Sequence, residues 1–303
     1  LDIDAHVLTM TFSEPVRASN TNVTAITVQN SGSTPASAHT LTGGSFSTTS
    51  GLIVVASVTV DDANIIKQLP MATARSNTFL SATSSLVADM QGNSLTALDG
   101  LQVTNFTADA SAPTLESFDL DMNSSTITLL FSETIKRSTV EPTQITLQNA
   151  ASVASTDVTS YHALTTSVVV PSADSTTITI SISMADQNAI KKLSGLATAV
   201  SSTFISFTAS MAEDMSVNQV TARNGNNGIR VTSYTADTTS PVLESFTINM
   251  NTLGLSLTFS ETMDASSFTA TEINIQQNAG SSSAATSFAV TNHASRSTND
   301  STV

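Results

Sequence analysis

Asp237-Thr-Thr-Ser-Pro-Val-Leu-Glu-Ser-Phe246 is the stretch on which the architecture turns, because Asp109-Ala-Ser-Ala-Pro-Thr-Leu-Glu-Ser-Phe118 nearly duplicates it. Each copy leads through a short turn into an alternating run that ends in Phe131-Ser-Glu-Thr134 or Phe259-Ser-Glu-Thr262. Phe12 aligns with Phe131 and Phe259 at offsets of 119 and 128 residues, a period suited to one β-domain. The copies agree beyond these anchors. Asp62-Ala-Asn-Ile-Ile-Lys-Gln-Leu69 returns as Asp186-Gln-Asn-Ala-Ile-Lys-Lys-Leu193, and Asp89-Met90 with Asn93 returns as Asp214-Met215 with Asn218. The boundaries fall at 1–110, 111–238 and 239–303, with the first copy short of its first strand and the third short of its second half.

In the second copy, period-2 runs rich in β-branched residues recur at 114–122, 126–131, 144–148, 163–170, 176–184, 203–209 and 229–235. Thr177-Ile-Thr-Ile-Ser-Ile182 puts isoleucines on one face and hydroxyls on the other, the pattern of a half-buried strand. Seven such strands predict an all-β fold of two-sheet sandwiches. Turn residues separate them at Asn123-Ser-Ser125, Pro171-Ser-Ala-Asp174 and Asn224-Gly-Asn-Asn-Gly228. Ala185–Leu196 breaks the alternation: Ile190, Leu193 and Leu196 follow helical spacing after Asp186, read as its N-cap. A short helix is therefore expected between the fifth and sixth strands, as in immunoglobulin-like sandwiches where the chain crosses between sheets. Its counterpart runs from Asp61 or Asp62 to Leu69 and stops against Pro70.

Composition narrows the setting. The 303 residues are 40% hydrophobic, 11% charged and roughly one-third Ser or Thr, which is globular material. A net charge of -14 and no Lys/Arg cluster argue against nucleic acid. Cysteine is absent, so disulfides and thiolate metal sites play no part. No apolar run reaches the roughly 20 residues of a membrane-spanning helix. The chain opens at Leu1 and stops at Val303 within a repeat, so it reads as a fragment whose ends are expected to be completed by its own continuation or by another subunit, as in donor-strand assembly.

The Asp-x-x-Ala/Ser-Pro junctions at 109–113 and 237–241, the Leu-Thr-Phe-Ser-Glu run, Asn-Ala-Ile-Lys-x-Leu and Asp-Met-x-x-Asn together resemble a family: large surface proteins built of tandem bacterial-type immunoglobulin-like repeats. They are similar to repeats of cyanobacterial swimming-motility proteins and giant algal cell-surface proteins. The resemblance implies tandem immunoglobulin-like β-sandwiches in an extracellular or cell-surface filament, flagellar-hair-like fibre or stalk, with an adhesin as the alternative. It carries no catalytic residues.

The acids at the junctions are the most suggestive side chains. Asp109 and Glu116 at one, and Asp237 and Glu244 at the other, with Asp119, Asp121, Glu133 and Glu261 nearby, are oxygen ligands suited to Ca2+ that stiffens a hinge. Solvated carboxylates on a polar face are the competing reading. Four Asn-x-Ser/Thr sequons, at Asn22, Asn105, Asn123 and Asn299, are surface glycan sites if the protein is secreted by a eukaryote, and Asn123 lies in a predicted exposed turn. Hydroxyl-rich Ser31–Thr40, Ser45–Ser50 and Ser281–Ser287 are candidates for O-linked sugar. His6, His39, His162 and His293 are scattered, with His39 and His162 at equivalent strand positions. Asp89-Met-Gln-Gly-Asn93 lacks the closing Glu of a calcium loop and reads as a tight turn. Neither a nucleophile elbow nor a phosphate loop is present, so enzymatic activity is not expected.

Overall fold

The computed structural model describes residues 1–152, 160–277, 287–291 and 299–302. The chain is mostly β, in several largely antiparallel sheets. Residues up to 102 supply β1 (Val7–Val16), β2 (Ile26–Gln29), β3 (Ala38–Thr40), β4 (Gly44–Phe46), β5 (Gly51–Val58), helix α1 (Val60–Gln68), β6 (Phe79–Ala82) and β7 (Leu98–Gln102). The same succession follows as β8 (Leu115–Asp121), β9 (Thr126–Ile135), β10 (Ile145–Gln148), β11 (Tyr161–Ala163), β12 (Val168–Val169), β13 (Ser175–Ser181), helix α2 (Met184–Lys192), β14 (Phe204–Phe207), β15 (Ile229–Arg230) and β16 (Ser233–Thr235). A third segment adds β17 (Leu243–Asn249), β18 (Gly254–Met263), β19 (Asn274–Gln276), β20 (Ser287–Ala289) and β21 (Asp300–Thr302).

In the second segment the sheets are β12-β13-β9-β8-β16 and β11-β10-β14-β15. The alternation read from the sequence explains their faces. Ile127, Leu129, Ile178 and Ile180 point inward from the first sheet and Ile145, Leu147 and Ile205 from the second, all fully buried in one cluster. Each such side chain contributes about 1.5–3 kcal/mol on burial. The first segment builds a separate cluster around Ile26, Val28, Val54, Ala56 and Ile66 from β1-β5-β4 and β3-β2-β6-β7.

Two predicted strands divide. Residues 163–170 form the end of β11 in one sheet and β12 in the other, and 229–235 divide into β15 and β16 in the same way. The break at Leu164–Ser167 has a local cause: Thr165, Thr166 and Ser167 turn their amides onto the carboxylate of Asp186 and leave the ladder. Asp186 is not the N-cap of α2. That role belongs to Ser183, whose hydroxyl accepts from the Asp186 amide, just as Thr59 caps α1. Both helices do join the predicted fifth and sixth strands; α1 ends at Gln68, with Leu69 as its C-cap before Pro70, and α2 ends at Lys192, short of the expected Leu196.

Backbone shape recurs where residue types do not. His6, Ser125 and Leu253 take φ of 54°, 60° and 55° in the turns that precede β1, β9 and β18. Asp89 and Asp214 each organise the expected tight turn, accepting from the amide two residues on and from the amide and side chain of Asn93 or Asn218.

Candidate functional site

A group of buried polar residues, Asn64, Lys67, Asp109, Glu133 and Thr134, lies where the first segment meets the second, and helix α1 supplies two of them. In α1 the core takes Ala63 and Ile66, so helical spacing carries Asn64, Lys67 and Gln68 round to the side facing β9. Lys67 also stands in the last helical turn, where a cation meets the negative end of the helix dipole. Its Nζ lies 2.7 Å from Glu133 Oε2 and 2.8 Å from Asp109 Oδ2. The Lys67 and Asp109 side chains are 5% and 1% exposed, so water scarcely reaches this pair. The ammonium donates a hydrogen bond to Glu133 and pairs with Asp109 Oδ2 at a similar distance.

Asn64 adds a backbone-like clasp. Its Oδ1 accepts from the Thr134 amide at 3.0 Å, while the Thr134 hydroxyl donates to the Asn64 carbonyl at 3.3 Å. Asp4 grips the linker, accepting from the Ala110 amide and the Ser111 hydroxyl, both at 2.9 Å. These bonds, led by the one from Ala110, hold the Asp4 carboxyl below its usual range.

The second junction repeats the arrangement. Lys191 of α2 lies 2.6 Å from Asp237 and 2.8 Å from Glu261, and Asn188 Oδ1 accepts from the Thr262 amide at 3.1 Å. Asn123, at the position of Asp4, accepts from the Thr238 amide and from the hydroxyls of Thr238 and Thr239. Here the charged side chains are 16–21% exposed, so the clasp is wetter.

The first junction carries one acid more. Asp214 is brought beside Glu133 by a bridge to Ile135, and among the described residues Asp109, Glu133 and Asp214 are the three acids whose ligand atoms lie within 4.8 Å of one another. Burial pushes Glu133 up to about 7 against the pull of Lys67. Burial also raises Asp214, outweighing its bonds from Asn218. Lys67 is opposed by burial, but the two carboxylates overcome that and raise it. At the second junction burial is likewise outweighed: the Lys191 hydrogen bond holds Asp237 below the usual carboxylate range.

The acids predicted as calcium ligands thus divide. Asp109 and Asp237 enter the lysine clasps, while Glu116 and Glu244 stand exposed on β8 and β17. The lysines were not foreseen as site residues. The signal the sequence does offer is Asn-x-x-Lys recurring at i, i+3 beside recurring acids.

The histidines resolve differently. His39 on β3 and His162 on β11 occupy matching places, and each donates Nε2–H to a fully buried aspartate, Asp62 at 2.8 Å and Asp186 at 2.9 Å. The sequence shows no carboxylate near either histidine because the partners come from the helices more than 20 residues on. Burial opposes the Asp186 charge, but donors from His162, Ser167, Thr165 and Thr166 hold it far below the usual range. His293 lies outside the described residues, as do residues 281–286 of the last hydroxyl-rich stretch. All four sequon asparagines are exposed. Asn22 Oδ1 accepts from the Thr24 amide and hydroxyl, and Asn299 Oδ1 from the Ala265 amide. The Asn105 carbonyl accepts from the amino terminus.

No helix is long and apolar enough to cross a membrane among the described residues. No family model, curated protein or solved structure matches the chain.

Proposed function

We propose that this chain is a structural element of an extracellular filament, flagellar-hair-like fibre or cell-surface stalk, in which tandem immunoglobulin-like sandwiches are set end to end and the joints limit bending. The observation that carries this reading is the recurrence of one joint. Lys67 with Asp109 and Glu133, and Lys191 with Asp237 and Glu261, fasten successive segments through the same residue types. A chain selected for a lone binding surface has no need to repeat its joint. A load-bearing chain does, because its compliance is set by its weakest link. In this reading the lysines supply the positive charge that Ca2+ was expected to bring, no catalysis is involved, and glycans at the exposed sequons clothe the surface.

The experiment is electron microscopy of the native material. Fibres with an axial repeat matching the segment length support the proposal, and dispersed globules overturn it. The adhesin reading has its own observation, an open groove of about 480 Å³ lined by Ser19, Asn22, Gly44, Ser45, Phe46 and Thr48, where hydroxyls surround one aromatic ring. Glycan-array binding abolished by Phe46→Ala, with no fibres in the native material, favours it instead.

A further inference from the structure

The two joints share residue types but not charge balance. At the second, one ammonium faces two carboxylates, and all three side chains keep some contact with water. At the first, three buried carboxylates cluster, Asp109 from the linker, Glu133 from β9 and Asp214 from the turn after β14, and one ammonium is paired with the first two. With every acid ionised the cluster carries two uncompensated negative charges out of water, an arrangement that proteins relieve by taking up a proton or a cation. The ammonium already fills the cation's place between Asp109 and Glu133.

A proton has both a place and a use. Asp214 is already engaged on both oxygens, accepting from the Ser216 and Asn218 amides and the Asn218 side chain. Glu133 and Asp109 share one ammonium, which lies 2.7 Å from the first and 2.8 Å from the second. A proton on Glu133 removes one negative charge from a site where the ligand atoms of three buried acids lie within 4.8 Å of one another. Other titratable groups near the cluster are Asp4, which the Ala110 amide and then the Ser111 hydroxyl hold below the usual range, and His6, which burial, and then Lys67, keep below its ordinary value.

We infer that the first joint is a proton-coupled hinge: it takes up a proton as Lys67 seats between Asp109 and Glu133, whereas the second joint closes without one. Glu133 sets the sign. Its affinity for a proton is higher in the closed joint than in the open one, so the stabilisation is complete below the ordinary glutamate range and declines as pH rises towards about 7, above which the loss levels off. Asp237 has the opposite sign, and its joint weakens only as pH falls below the ordinary aspartate range. The inference stands whether the segments belong to a fibre or to an adhesin.

The fold supplies its own reporters. The Thr134 amide is protected by Asn64 across the first joint, and the Thr262 amide by Asn188 across the second. Amide exchange of the whole chain, followed by NMR and corrected for the intrinsic pH dependence of exchange, is expected to show Thr134 protection falling about tenfold per pH unit between 5 and 7, with Thr262 flat over that range. Glu133→Gln is expected to flatten the Thr134 profile, and His6→Gln to leave it sloping. A flat Thr134 profile in the parent chain overturns the inference without recourse to any variant. So does a slope that survives Glu133→Gln, or one shared equally by Thr262.

Discussion

Lys67→Met is the substitution on which the account of the joint depends most directly. It keeps the length and most of the packing of the stem but deletes the charge. The ammonium is 2.7 Å from Glu133 and 2.8 Å from Asp109, and the side chains concerned are 5%, 10% and 1% exposed. Removing one partner of so dry a pair leaves the others desolvated and uncompensated, at a cost of about 3–5 kcal/mol. Protonation of the orphaned acids offsets part of this, so the loss is expected near the upper end at pH 8 and to shrink by pH 5. Lys191→Met is the comparison. Its partners are 16–21% exposed and water replaces the lost charge, so about 1 kcal/mol is expected. Urea unfolding at both pH values measures the two variants against the parent, and Lys67→Met combined with Glu133→Gln should recover part of the loss through their coupling. A cost for Lys67→Met below about 1 kcal/mol, or no greater than that for Lys191→Met, refutes the claim that burial gives the first clasp its strength.

Three further outcomes are expected. Asp186→Asn should cost about 2–4 kcal/mol, because an amide nitrogen faces the donors of His162, Thr165 and Ser167 in a fully buried site. The depressed Asp186 carboxyl contributes stability that is present above the ordinary aspartate range and lost as pH falls below it, so the melting temperature of the parent should drop on acidification and that of the variant should drop less. Val217→Gly should raise stability by roughly 0.5–1 kcal/mol in thermal unfolding: Val217 is 62% exposed at φ 70°, where Gly92 serves the corresponding turn at φ 93°. Millimolar Ca2+ and a chelator should each leave the melt unchanged, since Lys67 and Lys191 already stand between the acids of their joints; a clear rise in melting temperature with Ca2+ contradicts that assignment.

The sequence by itself determined the β character, the positions of most strands and the helix before the sixth strand. These follow from short-range rules. Alternation in Thr177–Ile182 can bury one face only, Ile190 and Leu193 share a helical face, and Pro113 and Pro241 punctuate the linkers. The lysine clasps were half legible: Asp109, Glu133, Asp237 and Glu261 stood out as acids, but their partners lie in helices 42 to 70 residues away along the chain. Only the tertiary structure decided that a helix face meets the next segment's strand end, that His39 and His162 reach buried aspartates, and that Asp214 joins the first clasp to make it unlike the second. Those outcomes depend on which groups lose water together, and burial is a property of the packed molecule that no local spacing encodes.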